Sequence, residues 1–162
     1  MVGVAFLTTR ATQLALTIIT FSISAALETS LWPSVTSQVN FALVATILGL
    51  IAMIFIAVTL PLPSLAHPWI VFSVDLLITV LLFCAAIALS AEMGVHSCGN
   101  LDYLMNNAAI LGSSHRCHLG QADCAFLWFT FAAWAGGCVI SGLGLRGSSG
   151  RSPGSHPSMT RV

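Results

Sequence analysis

The chain is 162 residues long, 57% hydrophobic and only 6% charged, with a formal net charge of zero and a mean hydropathy of +0.95. Soluble domains carry roughly 25% charged residues, so this composition excludes a water-covered globule and predicts one integral membrane domain. Lysine is absent, and Arg10, Arg116, Arg146, Arg151 and Arg161 form no basic cluster, which excludes nucleic acid as a partner.

The first predicted span covers about residues 9–30. Arg10 opens it, and ATQLALTIITFSISAAL follows, apolar but rich in Ser and Thr. Such hydroxyls bond back to helix carbonyls and are tolerated in lipid. The alternative is a cleaved signal peptide with small residues at Ser24–Ala26, although one arginine makes a poor basic lead. A short loop with Trp32 and Pro33 comes next, the tryptophan suiting a membrane face. The second span, 39–60, holds no charge. Pro61, Pro63 and Pro68 punctuate a tight turn that also contains His67, because proline removes a donor and clashes with the preceding helical turn. The third span is predicted over 69–91 and the fourth over 124–145. Between them lies a polar crossing, 92–123, and after them a Ser/Gly/Pro tail, 146–162, too poor in apolar residues to fold. The fold class is therefore all-α: a four-helix transmembrane bundle over 1–145 with a disordered tail.

Four spans place both termini on one side. Arg10, Arg146, Arg151 and Arg161 flank that side and Arg116 the other, so the positive-inside rule puts the termini in the cytosol. The crossing then faces the lumen or exterior of a plasma membrane or endomembrane.

Asp75 stands about six residues inside the third span, roughly 9 Å along the axis. A bare carboxylate there costs on the order of 2.5–3.5 kcal/mol, so it must be protonated, paired, or turned inward with Thr79, Ala86 and Ser90 on its face. Arg10, Gln13 and Arg146 are the candidate partners. Asp75 is either a structural pair that fixes helix rotation or an acid that carries protons or touches a substrate. In the crossing, Cys98 and Cys117 would close a loop of about 20 residues, worth ~3 kcal/mol in the chain-entropy model, with Cys124 as the competing partner. His96, His115 and His118 beside those cysteines are zinc-type donors, but the C-x2-C and H-x3-H spacings are missing, and no metal or cofactor is expected. Cys84 and Cys138 read as small buried hydrophobes.

The fourth span carries Ala133, Gly137 and Ser141 at spacings of four, with Gly136 and Gly144 beside them. Small rows let helices approach closely in lipid, either inside this bundle or against a second copy or another membrane protein. The C-terminal Thr160-Arg161-Val162 has the shape of a carboxylate-capture ligand, a weak signal at three residues.

Trp69, Phe72 and Asp75 opening the third span, the cysteine pair of the crossing, and the run CAFLWFTFAAW from Cys124 to Trp134 resemble the fungal MARVEL-like membrane proteins over about residues 5–145. The resemblance implies a non-catalytic multi-pass protein that organises membranes or serves vesicle traffic by lateral association. It also admits a membrane-embedded subunit or cyclase-like enzyme of a fungal natural-product pathway, with Asp75, or Glu92, Asp102 and His118 at the crossing, as acid–base groups. A polar cavity reaching Asp75 would favour the enzyme or a carrier; a dry, close-packed bundle would favour the organiser.

Overall fold

The computed structural model describes residues 2–59, 68–94 and 96–149, with side chains from Val4 to Leu145. The chain forms α1 (Val2–Leu31), α2 (Ser37–Thr59), α3 (Pro68–Met93), α4 (Leu101–Asn106) and α5 (Ser114–Ser149). All but α4 are long and apolar enough to cross a bilayer. α1 packs on α2 and α5, and α3 packs on α2 and α5, so the four spans close into an antiparallel ring. Pro68 sits at the first position of α3, where its missing N–H costs nothing.

The surface is the inverse of a soluble protein's. Ile51, Ile54, Val58, Leu77, Val80, Phe129 and Val139 are exposed, while Arg10, Gln13, Thr17, Thr20, Ser24, Asp75, Asp123 and Thr130 are buried. Exposed aliphatic residues all round a bundle are covered by lipid tails. Inside, the core runs from Leu27 and Leu31 through Ala42, Ala45, Leu82, Ala85, Ala86 and Leu89 to Leu127 and Trp134.

Three helix bounds depart from the sequence expectation. α1 begins at Val2 and not near residue 9, because the lead is apolar and nothing stops a helix before Arg10. α5 begins at Ser114, ten residues before the predicted fourth span, so 114–123 is helix and not crossing. Hydropathy misses this segment, whose outer face is polar: Ser114, His115, His118 and Gln121 are exposed while Cys117, Gly120 and Asp123 turn inward. Gly112, with φ of 76°, supplies the left-handed turn that starts it. At its other end α5 runs to Ser149, four residues into the predicted tail. The rest of that tail, the Thr160-Arg161-Val162 terminus and the turn with His67 lie outside the described residues.

Candidate functional site

Most polar groups of the interior lie on or against one stripe of α1. Arg10, Gln13, Thr17, Thr20 and Ser24 are spaced three and four apart, the repeat that keeps residues on one helix face, and all five are buried. Each meets a partner across the bundle.

At the end of the stripe near the termini, Arg10 and Asp75 form a bidentate pair. Arg10 Nη1 donates to Asp75 Oδ1 at 2.6 Å and Nη2 to Oδ2 at 2.7 Å. Asp75 has no exposed surface and Arg10 is 6% exposed. The remaining valences are used as well. Ser141 Oγ donates to Asp75 Oδ2 at 2.6 Å, Arg10 Nη1 donates to Gln13 Oε1 at 2.9 Å, and the Phe6 ring lies 4.9 Å from the guanidinium. Buried ion pairs persist when the desolvation of both charges is offset by such supporting bonds. The cluster joins α1, α3 and α5, so the start of α1, the start of α3 and the end of α5 share one side of the bundle. Thr79, one turn beyond Asp75, spends its hydroxyl on the Asp75 carbonyl at 2.6 Å.

Farther along the stripe, Trp134 Nε1 donates to Thr17 Oγ1 at 3.1 Å and Thr20 pairs with Thr130 at 2.6 Å. At the opposite end, Ser24 Oγ donates to Asp123 Oδ1 at 2.8 Å. Asp123 is fully buried, and among the described residues its Oδ2 has no hydrogen-bond partner. This second intramembrane acid went unrecognised in the sequence because residues 92–123 read as crossing.

Gly137 and Ser141 are occupied inside the bundle. A Cβ at Gly137 would collide with Gln13 Nε2, and Gln13 reaches the Ala133 carbonyl at 3.4 Å. This row lets α1 approach α5 and is not free for a second copy. Gly136 and Gly144 face open space. Cys84 and Cys138 are not buried as expected: Cys84 is exposed and Cys138 is partly so. Thiols are apolar enough for the lipid-facing side.

Cys98 and Cys117 are joined by a disulfide with Cα atoms 5.7 Å apart. Cys124 is instead a free thiol, 2.9 Å from Ser90 Oγ. The bridge pins the crossing to the head of α5. Asn100 caps α4 by accepting from the Asp102 amide at 3.1 Å, Asn107 Nδ2 donates to the Glu92 carbonyl at 2.9 Å, and the Tyr103 hydroxyl donates to the Met93 carbonyl. Burial first, and then the charge of Glu92, raises the Tyr103 pKa. His96 stacks on Tyr103 with ring centroids 4.6 Å apart. Glu92, His96 and Asp102 line one cleft of about 350 Å³; His118 does not line it, so the expected Glu92–Asp102–His118 mouth is not assembled. No group of three or more metal-type donors occurs among the described residues, and His96, His115 and His118 are not brought together because His96 turns to Tyr103 while the other two point outward from α5.

Comparison with known proteins agrees with this geometry. The MARVEL membrane-associating domain matches over residues 5–140. The chain is 34% identical over 115 residues, 70% of its length, to non-classical export protein 2 homolog 1 of Saccharomyces cerevisiae. It is 41% identical over 63 residues, 39% of its length, to non-classical export protein 102 of Candida albicans, and 32% identical over 106 residues, 65% of its length, to non-classical export protein 2 of Saccharomyces cerevisiae. The matches cover 66%, 37% and 61% of those relatives, so the chain spans less than two thirds of each. No solved structure matches.

Proposed function

Since the chain belongs to the MARVEL family of membrane-associating domains, we propose that it is a non-catalytic organiser of the bilayer, acting in membrane-domain formation or traffic by lateral association with lipids and other membrane proteins. Its termini face the cytosol in this reading, and the disulfide faces the lumen or exterior. The relatives are named for non-classical export, and export-linked membrane traffic is the process this chain would serve.

The observation that carries the reading is the closed state of the Arg10–Asp75 cluster. A catalytic acid must reach a substrate proton, and a carrier site must open to water on one side. Asp75 is sealed from both, with each oxygen engaged by Arg10 and one also by Ser141. Within the spans, what remains available is the outer surface, which is apolar and suited to lipid.

The test is single-molecule tracking of the tagged full chain at native expression, with photobleaching steps counted in each spot. Slow, multi-copy patches are expected. Uniform, fast-diffusing single copies at every density would overturn the proposal.

A further inference from the structure

A groove of about 500 Å³ opens between α1 and α2 on the disulfide side of the bundle. Phe21 and Ala25 of α1 and Leu43 and Ile47 of α2 form its walls, and Glu28 and Trp32 stand at its mouth. Phe21 lies ten residues from the end of α1 and Ile47 ten residues from the start of α2, each about 15 Å deep at 1.5 Å per residue. That is one leaflet of a hydrocarbon core ~30 Å thick. The groove therefore has the length of an acyl chain, apolar walls, and a polar mouth at headgroup level.

The mouth carries the chemical information. Glu28 is half-buried within the last turn of a membrane-spanning helix. Among the described residues it has neither a hydrogen-bond nor an ion-pair partner. Of the acids deeper in the spans, Asp75 is paired with Arg10, and Asp123 takes a bond from Ser24 on one oxygen only. Beside Glu28, the Trp32 indole is 76% exposed. A carboxylate and an indole lining one groove are the pair of groups that receives an organic ammonium, one by charge and the other by cation–π attraction. An anionic headgroup would be repelled there.

We infer that the α1–α2 groove binds a single phospholipid with an ammonium headgroup, its acyl chain along Phe21, Ala25, Leu43 and Ile47 and its ammonium against Glu28 and Trp32. The source of the ammonium is choline or ethanolamine. Choline offers methyl groups to the indole; ethanolamine donates N–H bonds to the carboxylate.

The experiment reconstitutes the full chain in nanodiscs containing equal amounts of phosphatidylcholine, phosphatidylethanolamine and phosphatidylglycerol. Lipid retained by the protein is then read by native mass spectrometry. One ammonium lipid per chain is expected, retained about tenfold over the glycerol lipid, the scale of one partly desolvated charge contact. Preference for ethanolamine assigns recognition mainly to Glu28, and preference for choline mainly to Trp32. Glu28→Gln should remove the discrimination against the anionic glycerol lipid and leave the count of retained lipid. Ala25→Phe should fill the groove and remove the lipid itself, and a photoactivatable-tail choline lipid should label 21–47 in the wild type only. Equal retention of the glycerol lipid by the wild-type chain, which needs no variant to fold, would overturn the inference. So would labelling spread evenly over all four spans.

Discussion

Arg10 is the residue on which the bundle's interior depends most. Its guanidinium neutralises Asp75, bonds Gln13 and lies against Phe6. Removing one partner of a buried pair leaves the other charge uncompensated, which costs on the order of 3–5 kcal/mol, whereas replacing both by apolar groups is often neutral. Arg10→Met should therefore destabilise the protein by about that amount in detergent unfolding, and Arg10→Met with Asp75→Leu should recover most of the loss. A single variant as stable as the wild type would show that the pair carries no weight. Tyr103, the chain's only tyrosine, offers a second test at this scale. Its hydroxyl serves as a donor to the Met93 carbonyl only while protonated. Since its folded pKa is raised above 10.0, the stability tied to the protonated phenol is fully present below pH 10.0 and is lost as pH climbs through the folded value. Ultraviolet titration should show phenolate appearing later in the folded chain than in the denatured chain, and the reverse order would contradict the burial.

At the scale of elements, α1 and α5 meet through a polar seam and a row of small residues. Gly137 is the tightest point, because a Cβ there collides with a Gln13 amide already bonded to Arg10 and the Ala133 carbonyl. Gly137→Ala should cost about 1–3 kcal/mol, the usual range for overpacking. Gly136→Ala, one residue away and facing open space, should stay within ~0.5 kcal/mol of the wild type or gain slightly from helix propensity. Melting temperatures of the two variants decide this, and equal losses would mean that the faces are misassigned. This contrast also marks how far the sequence could be read. The four spans were legible because runs of some twenty apolar residues have one physical explanation, and Asp75 with Arg10 among its candidate partners was legible because a buried charge demands one. The choice between the two glycine faces was not legible, since Gly136 and Gly137 sit in the same small-residue run and only the position of Gln13 separates them. Asp123 was missed for a related reason. Hydropathy locates lipid-facing segments, and the first ten residues of α5 form a helix with a polar outer face. The Ser24–Asp123 bond joins two residues 99 apart in the chain, and no local pattern links them.

Over the whole molecule the two ends of the bundle differ in chemistry, and the difference bears on orientation. One end holds Arg10 near the start of α1 and leads to the three arginines after Leu145. The other holds the disulfide and the capped α4. Arginine excess argues for the cytosol at the first end, and disulfides persist mainly in oxidising compartments, so the two criteria point the same way. The prediction is that a protease added outside intact cells spares tags on both termini, while thiol alkylation without reductant misses Cys98 and Cys117 and labels both after reduction. Digestion of the tags from outside, or labelling of both cysteines before reduction, would place the crossing in the cytosol and remove the compartmental reason for the bridge. Breaking the bridge by Cys98→Ser with Cys117→Ser should cost about 3 kcal/mol for a loop of this length. The loss should be local. The crossing holds to the bundle through Leu104 of α4 and through Ala109 and Ile110 after it, so hydrogen exchange should rise over 101–113. The Arg10–Asp75 end, on the far side of the membrane, shares no element with that loop except the length of α3 and α5. Its exchange should stay unchanged, since sites with no shared partners respond independently.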